Sequence, residues 1–202
     1  MILPTLLTLL FTTATALPAE AAAPAEAAAP AAGARISSIQ YSGNGCIRDP
    51  KLSGGLVDPT FTFPNFAASL PGTNQTLNCQ VHLVVDTAGS GWQFALSQNA
   101  VKGRVVLNPG TRLDYYTTVF FSEAAAKTST VRGHIKNEDD STLDKSVTLV
   151  NNLGGGKVWS QCTGSSGNAG ILNVNFRGAL SGSGKAYFEA LQENWDLEWR
   201  KC

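Results

Sequence analysis

The sequence is short of charge, of histidine and of any long apolar run. Of 202 residues, 15 are Lys or Arg and 15 are Asp or Glu, for a formal net charge of zero. A sparsely charged, balanced chain has no electrostatic footprint for nucleic acid or an anionic membrane surface, so neither is expected as a partner. No stretch reaches the roughly 18 apolar residues that a membrane-crossing helix needs, so no membrane insertion is expected. Motifs that betray common catalytic sites are missing too: there is no Gly-x-Ser-x-Gly elbow, no P-loop, no Gly-x-Gly-x-x-Gly and no His-Glu-x-x-His. Without a Cys-x-x-Cys or a closely spaced histidine pair, no metal is expected, and no cofactor either.

What is present begins with an apolar run from Met1 to Phe11, closed by Ala14-Thr15-Ala16. That is the pattern of a secretory signal peptide over residues 1–16, although no Lys or Arg precedes the run. Residues 17–34 are nearly all Ala and Pro, with Pro-Ala-Glu-Ala-Ala-Ala starting at Pro18 and again at Pro24. Such a stretch offers nothing bulky to bury, and each proline interrupts a helix, so it reads as a spacer or pro-segment. Residues 35–202 suffice for one domain with a core of its own. A secreted, extracellular and monomeric protein is expected.

All four cysteines, Cys46, Cys79, Cys162 and Cys202, lie in this last part. In an exported chain an even count favours two disulfides, with three connectivities open. Cys46–Cys79 and Cys162–Cys202 are preferred because neighbours in sequence close the shorter loops.

Between the cysteines, short runs rich in Val, Ile, Thr, Phe and Tyr alternate with Gly, Asn and Pro, the punctuation of strands and turns. Strands are expected at 36–42, at 60–63 (cut by Pro64), at 78–86, 92–97, 102–107, 111–122, 130–136, 146–150 and 171–176, with a further extended run at 157–160. Residues 78–86 alternate most cleanly, with Cys79, Val81, Leu83 and Val85 on one face. Residues 124–127 are too short for more than a helical turn. Residues 185–200 are ambiguous: Phe188, Leu191, Trp195 and Trp199 fit a helical stripe, whereas Trp195, Leu197 and Trp199 alternate as a strand would. A strand is preferred for 195–202. Together these imply an all-β fold, an antiparallel β-sandwich of jelly-roll or immunoglobulin-like type.

Candidate functional residues are few. His82 and His134 would make an acid–base pair only beside a carboxylate, and solvated strand residues are the plainer reading. Glu138-Asp139-Asp140 has oxygen ligands but not the spacing of a calcium loop, and a hairpin turn explains it with less. No pair of carboxylates is singled out for glycoside hydrolysis. Trp92, Trp159, Trp195 and Trp199 would form a sugar-stacking platform if exposed in a row; otherwise they are core residues. Asn74-Gln75-Thr76 is a sequon for N-glycosylation at Asn74.

The series Gly43-x-Gly45-Cys46, Phe61-x-Phe63-x-x-Phe66, Asn78-Cys79-Gln80, Gly91-Trp92-Gln93, Trp159-x-x-Cys162 and Trp199-Arg200-Lys201-Cys202 resembles a family of secreted, mostly fungal proteins, domain of unknown function 4360. The resemblance covers nearly all of 35–202 and excludes the Ala/Pro spacer. It implies export and a four-cysteine framework, and it transfers no catalytic residues. By analogy it suggests a non-enzymatic protein that binds an extracellular protein or polysaccharide at the cell exterior or host surface, effector-like in some cases. A carbohydrate-binding module and an extracellular hydrolase are the alternatives.

Overall fold

Strand alternation sets which side chains meet across the molecule, and here it builds two sheets that share one interior. The computed structural model describes residues 34–86 and 89–202. The export signal expected at 1–16 and nearly all of the spacer expected at 17–34 lie outside them. In chain order the strands are β1 (Arg35–Ser42), β2 (Lys51–Ser53), β3 (Thr60–Leu70), β4 (Thr76–Asp86), β5 (Trp92–Leu107), β6 (Arg112–Phe121), β7 (Ser129–Lys136), β8 (Leu143–Asn152), β9 (Asn168–Ser181) and β10 (Ala186–Lys201). Five form one sheet in the order β1-β4-β9-β6-β7 and five the other, β2-β3-β10-β5-β8. Every pairing is antiparallel. The fold is thus the antiparallel β-sandwich expected, and among the described residues it contains no α-helix. A 3-10 turn at Ser122–Ala124 stands next to the helical turn expected at 124–127.

The ambiguity at 185–200 resolves as one continuous strand, and its cause is visible. Ala190 pairs with Gly103 and Gln192 with Lys102, so Leu191 is an extra residue in β10. Phe188 and Ala190 face inward before it; Glu193, Trp195, Leu197 and Trp199 face inward after it. One bulge converts a period of two into a single step of three, which in sequence imitates a helical stripe. The backbones crowd there: a Cβ on Gly103 would stand 2.0 Å from the Glu189 carbonyl oxygen. A second slip, at Ser97, together with the polar Gln98-Asn99, makes one long β5 look like two strands.

Two further expectations are corrected. Pro64 does not end its strand but lies inside β3, opposite the bulge, where Thr62 pairs with Gln192 and Phe66 with Ala190. β2 reaches only as far as Thr62, so the missing N–H interrupts no regular ladder. Residues 157–160 are not a strand. The segment follows β5 through isolated backbone and side-chain bonds: Ser160 N donates to the Phe94 carbonyl and Thr163 N to the Trp92 carbonyl, each at 2.9 Å, while Phe94 N donates to Ser160 Oγ at 3.1 Å and Trp92 N to Thr163 Oγ1 at 3.0 Å.

The interior has two apolar clusters. One gathers Phe63, Phe66, Val101, Val105, Leu107, Leu113, Phe176 and Phe188; the other gathers Phe61, Val81, Leu83, Phe94, Phe121, Val174, Trp195 and Trp199. Each fully buried Phe contributes about 2–3 kcal/mol. Between the clusters runs a buried polar belt. Asn99 and Asn151 reach across from one sheet and both donate to Thr117 Oγ1 of the other, at 3.2 and 2.7 Å. Asn99 Nδ2 and Trp195 Nε1 also donate to Glu193 Oε1, at 2.6 and 2.7 Å. Glu193 is fully buried and its Oε2 has no partner, so burial pushes its carboxyl up to about 7 against the lowering effect of those two donors.

The disulfides join Cys46 to Cys79 and Cys162 to Cys202, the pairing preferred above. The first is buried and ties the loop after β1 to β4; the second is exposed and ties the segment beside β5 to the end of β10. Spanning 33 and 40 residues, each restrains the unfolded chain by about 4 kcal/mol in the loop-entropy account.

Candidate binding face

The tryptophans do not assemble into a platform. Trp92, Trp195 and Trp199 are packed inside, because they fall on the inward-facing positions of β5 and β10. Trp159 is half-buried, with the Arg200 guanidinium 3.8 Å above its ring. The alternative weighed from the sequence, that these residues fill the core, describes three of the four. Asn74 sits in the exposed turn between β3 and β4, open to modification. The acidic residues of 138–140 are spent on local structure or solvated: Glu138 accepts from Lys136 Nζ at 3.0 Å, which holds its carboxyl below the usual range. Among the described residues no cluster of three His, Cys, Asp or Glu side chains is placed to hold a metal ion.

The histidines are likewise not a pair. His82 lies on β4 and His134 on β7, three strand spacings apart across the sheet, about 14 Å, and further separated along it, because His134 aligns through Asp114 and Ala179 with Thr76, six residues before His82. Each meets a different partner. Ser42 Oγ lies 2.9 Å from His82 Nε2, and Asn173 Oδ1 lies 2.6 Å from Nδ1. Asn173 Nδ2 donates to the Ile171 carbonyl and to Ser122 Oγ, so its oxygen must face the ring. The neutral ring therefore carries its proton on Nδ1, and Ser42 donates to Nε2. His134 lies in register with Asp114, whose Oδ1 is held by Arg112 at 2.6 Å.

These residues all belong to the outer face of the β1-β4-β9-β6-β7 sheet, and register orders that face into rows. Gln80, Asn175, Thr118 and Thr130 run side by side across β4, β9, β6 and β7; Asn78, Arg177, Tyr116 and Arg132 form the next row. Two depressions adjoin here. One, of about 500 Å³, is lined by Gln80, Tyr116, Thr118, Asn175 and Arg177 among others. The second, of about 390 Å³, is lined by Arg112, Arg132 and His134, and the two share Asp114 and Tyr116. Tyr116 is the ridge between them. Among the described residues no cation stacks on its ring and no other ring contacts it. The amides lean on one another: Asn175 Nδ2 donates to Gln80 Oε1 at 3.3 Å, while Asn175 Oδ1 is buried without a partner. Gly133, in register with Tyr115, leaves room for that ring to pass inward under β7; a Cβ there would stand 2.3 Å from the Tyr115 hydroxyl.

On this face the sequence marks the histidines, Asn78 and Gln80 within the family pattern, and Tyr116 and Asp114 only among the chain's other aromatics and carboxylates, without bringing them together. The signal was available as the outward phase of β4, β6 and β9, where Gln80, Tyr116, Asn175 and Arg177 replace the short solvated side chains of an ordinary sheet surface. Read by eye, polar residues on a strand's outward phase look like solvation.

The fold and this face define a disulfide-bonded antiparallel β-sandwich with a polar, aromatic-ridged sheet surface. Residues 32–202 match the family called Domain of unknown function (DUF4360), and the chain belongs to that family. No curated protein matches. Among solved structures the chain is similar to TmCBM61 in complex with β-1,4-galactotriose, at 8% identity and a TM-score of 0.27, over 83% of this chain and 91% of that one. It is also similar to the enzymatically active domain of bacteriophage CBA120 tailspike protein 4, at 12% identity and a TM-score of 0.26, over 83% of this chain and 20% of that one. At such distances neither protein's ligand nor activity bears on this chain.

Proposed function

We propose that this is an exported, non-enzymatic protein that binds a saccharide on the outer face of the β1-β4-β9-β6-β7 sheet, at the cell exterior or host surface. The observation that carries this is Tyr116, a half-buried ring left uncovered between two adjoining depressions and flanked by amides and guanidinium groups. A flat ring stacks on the apolar face of a pyranose, and amides, Arg and Asp bond its hydroxyls in the plane. Two disulfides fit an oxidising compartment. There the exposed Asn74 would carry a glycan, detectable as a mass lost on enzymatic deglycosylation. Contact with Ser42 and Asn173 rather than a carboxylate leaves His82 without the partner that the hydrolase alternative requires.

The test is retention of the purified protein on immobilised chitin, β-glucan, cellulose and polygalacturonate. Wild type is retained by at least one, Tyr116→Ala is not, and Trp159→Ala is retained as wild type is. No retention on any polysaccharide, or retention that survives Tyr116→Ala, overturns the reading.

A further inference from the structure

The cations of this face are not equivalent. Arg112 is neutralised by Asp114 at 2.6 Å, and Lys136 by Glu138 at 3.0 Å. Arg132 and Arg177 make no ion pair among the described residues. Both are exposed, and both lie in register with Tyr116, one on β7 and one on β9. Their Cα atoms are therefore two strand spacings apart, about 10 Å, with the tyrosine between them. A guanidinium is a fixed fork of donors matched to a carboxylate, and two forks astride one uncovered ring set a length scale close to that of a single sugar residue and its substituent.

We infer that the saccharide is acidic: Tyr116 stacks on a pyranose whose carboxylate is taken by Arg177 or Arg132, as a uronate presents it. This rests on the saccharide reading above and narrows it. The wider charge distribution agrees. Residues 35–202 hold all 15 basic residues but only 13 of the 15 acidic ones, since Glu20 and Glu26 lie in the spacer, leaving a net charge of 15 − 13 = +2. The carboxylate-neutral forms of the same ring lack the group that the two forks match.

The discriminating experiment measures affinity of the wild-type protein for polygalacturonate, for its methyl ester, for a neutral β-glucan and for poly-glutamate. The methyl ester keeps ring and linkage and removes only the charge. Polygalacturonate is expected to bind on the order of ten-fold more tightly than its ester, the worth of a charged hydrogen bond. Arg132→Gln and Arg177→Gln, at exposed sites that leave the fold intact, are expected to erase that preference, so that acid and ester bind alike, at or below the wild-type affinity for the ester. Equal affinity for the acid and the ester, or binding to the neutral glucan alone, overturns this inference and leaves the saccharide reading standing. Equal affinity for poly-glutamate and polygalacturonate overturns it as well, because charge without a ring then suffices. Binding to none of the four overturns this inference, and overturns the saccharide reading as well when chitin and cellulose also fail to retain the protein.

Discussion

Glu193 makes the pH dependence of stability a test of the interior. Its carboxyl is pushed up to about 7 by burial, from an ordinary value of 4.5 in the unfolded chain. The folded protein therefore holds a proton between these values that the unfolded chain has released, and stability falls as pH rises through this window. The gap of about 2.5 units corresponds to about 3 kcal/mol of stability, fully present below about pH 4.5 and fully lost above about pH 7. Glu193→Gln keeps an oxygen for Asn99 Nδ2 and Trp195 Nε1 and puts a permanent donor where Oε2 now stands unpartnered. Urea unfolding of both proteins at several pH values between 4 and 8.5 isolates the group, since other titrations cancel in the difference. The variant is expected to gain about 3 kcal/mol on wild type between the ends of the range, or about 6–12 °C in Tm for a domain of this size. A stability difference that stays constant across the range would refute the claim that this carboxyl is buried with one oxygen unpartnered.

Three further outcomes follow from the same structure. Under native conditions dithiothreitol should reduce the exposed Cys162–Cys202 before the buried Cys46–Cys79, as read by mass mapping of alkylated thiols; simultaneous loss would count against the burial difference. Phe66→Ala removes a ring packed on Phe63, Phe176 and Phe188 and should cost about 3–5 kcal/mol in urea unfolding, whereas a loss below about 1 kcal/mol would mean the site collapses onto the gap. Nitrogen-15 NMR above pH 8 should find the neutral His82 ring protonated on Nδ1; the Nε2–H form would break the chain from Asn173 to Ser42.

Legibility in the sequence followed the regularity of each strand. β4 reads correctly because Cys79, Val81, Leu83 and Val85 alternate without interruption and are all fully buried. The cysteine pairing was legible because both bridges close loops between sequence neighbours. β5 and β10 were misread in part because an inserted residue in each resets the phase, and a local pattern cannot distinguish a reset from a change of period. Pro64 misled for a related reason: its cost depends on whether a partner needs its N–H, which is a property of the neighbouring strands. The binding face was the least legible. Its residues come from five strands scattered between Ser42 and Arg177, and only lateral register brings Arg177, Tyr116 and Arg132 into one line.

The amides that bridge the two sheets, with the acid beside them, solve a problem that alternation leaves open. Sliding a strand by one residue turns its apolar set outward and is strongly penalised, but sliding it by two preserves inside and outside. With Asn99, Asn151, Thr117 and Glu193 at a fixed height, a two-residue slip would drive Val101 or Leu149 against the hydroxyl of Thr117 and strand the amides among phenyl rings. Those four side chains pin β5, β6, β8 and β10 lengthwise, so these strands have one alignment rather than a ladder of near-equivalent ones.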